Sequence, residues 1–452
     1  MRQDALKIFK AGIAAADPKQ CVARCLAEDG QRLQIALDAY GTGKTRTGTW
    51  QKIHVIAFGK AACGMAEAVR GIVPEQMFAG PGIAVSNYQN RKPVQNFTVL
   101  GAGHPLPDMA GLKAARQVAA RVEAAQRGEL VLVLVSGGGS ALLPCPISPV
   151  TLKEKIATTE LLLACGADIG EINCVRKHLS RLKGGRLAEK AAPADLHALL
   201  LSDVIGDDPG TIASGPTVPD DSRFLDAIAV FTSRNVWDKV PASVRELLLK
   251  GSRGELPETP KTGDHIFDRT GYTIIGSNAL SISACRNAAD QLHYAVRLYS
   301  DRLCGEARHA AEKLVLHARS PLQKGISRPV AIVAGGETTV TLQGDGRGGR
   351  NQEMALAFVI AAEKYALDAD WIFLSGATDG QDGPTDAAGG MVDTGSLERM
   401  QAAGIDPKAS LANNDSHTAL RSSRDLLHTG ATGTNVADLQ LLLIHPNFDK
   451  NS

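Results

Sequence analysis

Residues 130–143, Leu-Val-Leu-Val-Leu-Val-Ser-Gly-Gly-Gly-Ser-Ala-Leu-Leu, carry the most structural information in this 452-residue chain. Leu130 to Val135 is an unbroken aliphatic run of strand length, as a strand buried on both faces of a parallel sheet requires. The turn that follows has three glycines between two serines. Glycines there let successive amides point at an anion without a side chain in the way, and Ser136 and Ser140 add hydroxyl donors. The stretch is not Gly-x-Gly-x-x-Gly with an acid about twenty residues on, so it is not a dinucleotide fingerprint. A tight turn and an anion-binding loop both remain open on this stretch alone.

The same pattern, a short apolar run and then a Gly-rich turn and a helical stretch, recurs along the chain. Strands are predicted at Ile53 to Phe58, Gly82 to Ser86, Phe97 to Leu100 and Leu196 to Leu201. Helices are predicted at Asp4 to Ala15, Pro18 to Ala27, Ala61 to Val69, Met109 to Gln126 and Leu152 to Cys165. The polar stretch Lys250 to Asp264, rich in Gly and Pro, reads as a linker or long surface loop. Beyond it strands resume at Tyr272 to Ile275, Ala295 to Tyr299, Val330 to Val333, Trp371 to Leu374 and Leu439 to Ile444. Thr338 to Leu342, followed by Gly344-Asp345-Gly346, reads as a hairpin arm and predicts a mixed second sheet. The fold class is therefore α/β, with two three-layer α/β/α domains. The first, residues 1–250, is Rossmann-like with a mainly parallel sheet; the second spans 265–452. In such sheets ligands bind beyond the carboxyl ends of the strands.

Composition narrows the functions. Lys plus Arg is 49 against 48 for Asp plus Glu, a formal charge of +1. No global field exists to hold nucleic acid or an anionic membrane, so any anion must meet a local cluster. The beginning of the chain lacks the apolar stretch of a secretory signal, and no aliphatic run is long enough for a bilayer. The 8 cysteines are scattered without a CxxC pair, which fits free thiols in a reducing cytoplasm.

Several short strings carry chemistry. Gly41-Thr42-Gly43-Lys44-Thr45 imitates a P-loop, but position 38 is Asp38 and no strand immediately precedes it. Lys60, just after Gly59 at a helix entry, is a cation where an anion is favoured. The segment 173–188 carries Arg176, Lys177, Arg181, Lys183 and Arg186; Arg176 and Lys183 fall on one helical face. Asp203 and Asp207 follow one strand and Asp379 another, where carboxylates hold Mg²⁺ together with phosphates and waters. Arg350 enters a helix through the run Gly346 to Glu353, and its fork suits a phosphoryl or carboxylate group. Histidines form no metal or hydrolase pattern.

Taken together the strings resemble the class II glycerate kinases, the glycerate 2-kinase family with a C-terminal MOFRL domain. The matching stretches are VIAFGKAACGMA (55–66), GHPLPD (103–108), LVSGGGSALLPCP (134–146), NCVRKHLSRLKGGRLA (173–188), LLSDVIGDDPGTIASGPTVPD (200–220), GGETTV (335–340), GRGGRNQE (346–353), SGATDGQDGPTDAAG (375–389) and TGTNVADL (432–439). They cover both halves in the family's order. One departure is Ala431, where many members have proline.

The resemblance implies ATP-dependent phosphorylation of D-glycerate at its 2-hydroxyl, giving 2-phosphoglycerate and ADP. It implies ATP and Mg²⁺ or another divalent cation as cofactors, and an active site in the cleft between the domains. The family's catalytic lysine and arginine fall on Lys60 and Arg350. Asp379 is the candidate base; Asp203, Asp207 and Asp379 are the candidate metal ligands. Ser136, Gly137, Gly138, Gly139, Ser140, Arg176, Lys183, Glu337, Asn351 and Glu353 are the candidate substrate and phosphate contacts. The expected setting is cytoplasmic, with no nucleic-acid or membrane partner and a homodimer as candidate assembly. Members are also labelled hydroxypyruvate reductase, from operons of tartrate degradation. An NAD(P)H-dependent reductase would need a dinucleotide fingerprint, which is missing. A non-catalytic sugar-phosphate-binding regulator fits the glycine loops but leaves both Asp clusters and the Lys60–Arg350 pair unexplained.

Overall fold

The computed structural model describes residues 1–30, 32–323 and 328–445. The chain divides into two compact units, Pro18–Ile275 and Met1–Asp17 with the residues from Gly276 onward. This differs from the expected limits of 1–250 and 265–452, at both ends of the first unit. Residues 446–452 of that second range lie outside the described residues.

The first unit opens with a small antiparallel sheet of β1 (Leu26–Glu28), β2 (Leu33–Ala36) and β3 (Thr45–Gly48). The helix expected to reach Ala27 ends at Cys25, and the P-loop imitation is the turn between β2 and β3, so a strand does precede it, against expectation, and no helix follows. There the Asp38 carboxylate accepts the N–H groups of Tyr40 and Gly43 at 2.8 and 2.7 Å. The residue that breaks the P-loop pattern is the one that builds the turn.

The main sheet follows: β4 (Ile53–Phe58), β5 (Gly82–Asn87), β6 (Phe97–Ala102), β7 (Leu130–Val135), β8 (Asp195–Leu201) and β9 (Thr270–Gly276). Their spatial order is β6-β5-β4-β7-β8-β9, and β6 through β8 are parallel. All six residues of β4 and all six of β7 are buried; β7 accordingly reads as an unbroken apolar run, and β4 is interrupted by His54, which bonds to Glu129 at 3.0 Å. Val118 and Val122 of the helix Met109–Glu123 and Leu187 of the helix Arg186–Ala191 join Val131 and Val133 in one core. A second core, around Leu162, Phe224, Phe231 and Leu247, is made by helices and the turns between them, without a strand.

The expected linker belongs to this unit. Its buried Thr259 donates to the Asp220 carboxylate at 2.9 Å, and Lys261 Nζ donates to the Asp220 carbonyl at 2.8 Å. Composition made the stretch look solvated, yet its polar side chains are spent on internal bonds.

The second unit carries β10 (Ala295–Leu303), β11 (Val330–Gly336), β12 (Asp370–Ala377), β13 (Gly389–Asp393), β14 (Leu426–Leu427) and β15 (Asp438–His445). The order is β10-β11-β15-β12-β13-β14; β10 and β11 are parallel and the other pairs antiparallel. The sheet is thus mixed, but not through the expected hairpin. Residues 338–342 form no strand beyond one isolated bridge of Thr339 to Glu306. The Glu306 carboxylate accepts from Thr341 and Asn414 accepts from Gln343, so side chains stand in for a partner strand.

The helix Arg2–Ala15 covers this second sheet. Ile8 and Phe9, fully buried, join Ile282, Leu439 and Leu441 in one cluster. Arg2 donates to the Asp393 carboxylate at 2.7 Å and the Met391 carbonyl at 3.0 Å. Among the described residues no helix is long and apolar enough to cross a membrane.

Removing the Phe9 ring should leave a cavity costing roughly 3–5 kcal/mol. Phe9→Ala is therefore expected to weaken hydrogen-exchange protection of β15 while leaving β7 protected. Equal loss in both strands, or none in β15, would show that the helix does not belong where it is seen.

Candidate functional site

Phe58 lies opposite Val135 at the last rung of the β4–β7 pairing, so two loops leave the sheet side by side. They are bonded together. Ser136 Oγ accepts the Ala61 N–H at 3.0 Å, and the Gly137 carbonyl accepts the Lys60 N–H at 2.8 Å. Gly59 has φ +122°, and a Cβ there would stand 2.2 Å from Ser136 Oγ. Gly138 has φ +85°, with the His104 ring and the Lys60 side chain where its Cβ would be. Both positions require glycine.

The five loop residues thus have distinct roles. Ser136 and Gly137 hold the neighbouring loop, and Gly139 fits between Phe58 and Ala213. Gly138 and Ser140 face a cavity of about 370 Å³. Lys155, Arg176, Lys183 and His104 line the same cavity, with Leu106, Ile156 and Leu163 as apolar wall.

Its electrostatics are one-sided. Lys155 lies on the helix Leu152–Ala164, one turn past a Thr151–Glu154 capping box. It is only 5% exposed and its ammonium has no hydrogen-bond partner. Burial, and then the charge of Arg176, push its pKa down to about 8. Lys183, 3% exposed, has one long bond, 3.4 Å to the Ala213 carbonyl. Burial lowers its pKa well below the usual lysine range, with repulsion from Lys155 and Arg176 adding to it. Burial alone lowers Arg176. Among the described residues no carboxylate offsets any of the three. Burial and the nearby Lys60 also lower His104, which favours its neutral form.

The backbone that packs behind Ser140 is strained. Ala213 and Ser214 both take left-handed backbone conformations, with φ of +51° and +62°. Ser214 Oγ meets Ser140 Oγ at 2.7 Å and donates to the buried Asn173 at 2.9 Å. Such strain in non-glycine residues persists only where surroundings over-determine it.

Arg176 and Lys183 do meet, though not on one helix face. The helix ends at His178, and Lys183 is carried by the turn that follows. Lys177 pairs with Asp220 at 3.2 Å instead. Asp203 sits at the glycine loop: a Cβ on Gly137 would lie 2.1 Å from its carboxylate. Asp207, partly buried, occupies a left-handed turn in the loop after β8. Hard carboxylate oxygens of this kind suit Mg²⁺, which takes one or two from protein and the rest from phosphate and water. Among the described residues no three His, Cys, Asp or Glu side chains converge as a metal cluster.

The second unit holds the other candidates. Arg350 begins the helix Arg350–Lys364 and grips Asp438 with two N–H groups, Nε at 2.6 Å and an Nη at 3.0 Å. Its other Nη reaches Glu337 at 2.7 Å. Burial pushes the fully buried Asp438 carboxyl up to about 6 against the pull of Arg350. Asn351 is fully buried, accepting from Ser375 at 2.6 Å and donating to Asp382 at 3.3 Å. Glu353, 1% exposed, is taken by Arg308 at 2.9 Å and Asn414 at 3.0 Å. Asp379 is partly buried in the turn after β12, where its carboxylate accepts the Gln381 N–H at 3.0 Å.

Sequence reasoning missed Lys155, His104, Asp382 and Asp438 as site or anchoring residues. Lys155 had a signal: it shares the inner face of its helix with Leu152 and Leu162, and a lysine on an apolar stripe is rarely idle. Asp382 accepts the N–H groups of Asn351 and Gln352 at 3.1 and 2.9 Å, holding the start of the Arg350 helix. That link spans about thirty residues and no local pattern announces it.

Comparison with known proteins accords with this architecture. A family described as a domain of unknown function (DUF4147) matches residues 4–249, and the MOFRL family matches residues 330–438. Glycerate 2-kinase of Pyrococcus horikoshii is 37% identical over 447 residues, 98% of this chain and 97% of the relative. An Agrobacterium vitis relative, 39% identical over 447 residues (98% of this chain, 94% of its own), is named, provisionally, a hydroxypyruvate reductase. The crystal structure of glycerate kinase from Thermotoga maritima superposes with a TM-score of 0.84 at 36% identity, covering 98% of this chain and 99% of its own. With both units matched at this identity across nearly the whole chain, the protein belongs to the glycerate kinase family of DUF4147 and MOFRL domains.

Proposed function

We propose that the protein is an ATP-dependent glycerate 2-kinase, transferring the γ-phosphoryl group of ATP to the 2-hydroxyl of D-glycerate. The observation that carries this reading is the trio Lys155, Arg176 and Lys183, buried or half-buried around one cavity without a counter-anion. Buried cations left unpaired cost folding energy unless an anionic ligand repays it. Phosphoryl transfer supplies such anions, and its catalysis is mainly positioning and charge stabilisation.

Lys60, against Gly138, stabilises charge on the transferred phosphoryl in this reading. Arg350, the second candidate for charge stabilisation, has three of its five N–H groups occupied among the described residues. Mg²⁺, held by Asp203 or Asp207, would draw charge from the phosphate oxygens; Asp379 is kept as candidate ligand and base. A cytoplasmic homodimer completes the proposal. A hydroxypyruvate reductase is the weaker alternative, since no dinucleotide fingerprint accompanies the glycine loop.

An enolase-coupled assay with D-glycerate and MgATP tests the reaction directly. The proposal requires 2-phosphoglycerate in step with ADP; ADP alone, or NADH consumption with hydroxypyruvate, would sink it. Lys60→Ala should lower kcat on the order of 10²-fold with an unchanged melting temperature.

Arg350→Ala should behave differently. It leaves the buried Asp438 without its main partner, so stability should fall by roughly 3 kcal/mol along with activity. Calorimetry showing an unaltered transition would mean that Arg350 does not anchor Asp438.

The unpaired cations also set a pH dependence. Lys155 holds its proton only to about pH 8 in the folded chain, but to roughly 10.4 when unfolded. Unfolding therefore takes up a proton between those values, and this group's penalty fades as pH rises through them. Without ligand, Lys155→Met should be more stable than wild type below pH 8, and the gap should close towards pH 10. A gap independent of pH would contradict a charged, unpartnered Lys155.

A further inference from the structure

We propose that Lys155, Arg176 and Lys183 form a phosphate subsite, and that the glycerate carboxylate binds elsewhere. The inference rests on the kinase reading and deepens it, assigning one ligand group to one cavity. Charge is the first argument. A carboxylate brings one negative charge; a phosphate chain or phosphomonoester brings two or more, enough to favour the protonated forms of Lys155 and Lys183 beside Arg176 against the burial that depresses them. Among the described residues Glu160, exposed, is the one carboxylate on the cavity wall, and it pairs with none of the three.

Chemistry gives the second argument. Lysines serve phosphate as point charges, and a guanidinium adds a planar fork; here both kinds converge with the Ser140 hydroxyl. Room gives the third. A cavity of about 370 Å³ is within the range of whole ligand pockets and exceeds what a three-carbon acid fills. Leu106 and Leu163, 62% and 60% exposed, stand at its mouth and offer apolar surface that glycerate has no use for. The phosphate belongs either to the nucleotide or to the phosphorylated product, and the apolar mouth favours the nucleotide.

Isothermal titration of the full chain with ADP, 2-phosphoglycerate and D-glycerate, each against wild type and Lys155→Met, tests this. Replacing the unpartnered ammonium with a methionine of similar shape keeps the fold, which an undiminished melting temperature verifies. Affinity for ADP, for 2-phosphoglycerate or for both should fall at least about tenfold, while glycerate stays within about twofold. Whichever phosphate ligand weakens names the source. Arg176→Gln should give the same pattern. Loss of glycerate binding with intact phosphate binding would overturn the subsite assignment, as would no change in any ligand. Absence of ATP-dependent glycerate phosphorylation by wild type would instead overturn the kinase reading, and the binding arms would still report on the phosphate.

Discussion

The parallel pairing of β4 with β7 is the constraint on which the first unit's site depends. Because Phe58 and Val135 end their strands at the same level, both chains must turn at the same place. Two backbones leaving one sheet edge compete for space, and the competition is resolved by glycine at 59 and by Ser136 bonding across. The Lys60 and Gly138 positions follow from that join. So does the location of Asp203, whose carboxylate occupies the space that any side chain at 137 would need. A hydroxyl or glycine lost here would shift several polar groups together.

The second feature is where charge is left unbalanced. Asp382, Asp425 and Asp438 are buried, and each accepts from N–H groups beside it, Asp425 through Oδ1 alone. Asp220 is buried with Lys177, Thr259 and Ser222 around it. The chain therefore pairs buried charge as a rule. Lys155, Arg176 and Lys183 break that rule together, around one cavity, and beside the strained Ala213–Ser214 backbone. Coincidence of strain and unpaired charge is what a site optimised for ligand, at a cost to stability, is expected to display.

Most strands of the two large sheets were legible because burial on both faces leaves aliphatic runs, as at Leu130 to Val135 and Leu441 to Ile444, whereas the short β13 and β14 were not expected. Legibility failed where a residue's partner lies far along the chain. The helix Arg2–Ala15 has an apolar stripe, but nothing in the stripe says which sheet it covers; Phe9 and Leu439 decide that. Thr338 to Leu342 looked like a strand because β-branched residues ran together, yet Glu306 and Asn414 supplied the bonds that a partner strand would have given. At the site, Arg176 and Lys183 were found through a helical periodicity that stops at His178 before reaching Lys183. The two meet because the turn beyond brings Lys183 back. Lys155 was passed over because periodicity was used to count apolar residues and not to notice the charged one among them.

Arg350 and the Lys155–Arg176–Lys183 trio are treated in opposite ways, and the difference has a physical consequence. Arg350 is neutralised by Asp438 and Glu337, so its burial needs no ligand and its geometry is fixed in advance. Lys155, Arg176 and Lys183 are not neutralised, so their mutual repulsion is stored in the folded chain. An anion entering that cavity gains its own attraction and also relieves the repulsion. Its binding must then stabilise the fold by more than the same anion would at a paired site, since whatever binds only the folded state shifts the folding equilibrium by mass action. A neutral or singly charged ligand cannot draw fully on that stored energy. In the proposed subsite the trio would discriminate by charge number before any shape is read, favouring a phosphate over the carboxylate of glycerate.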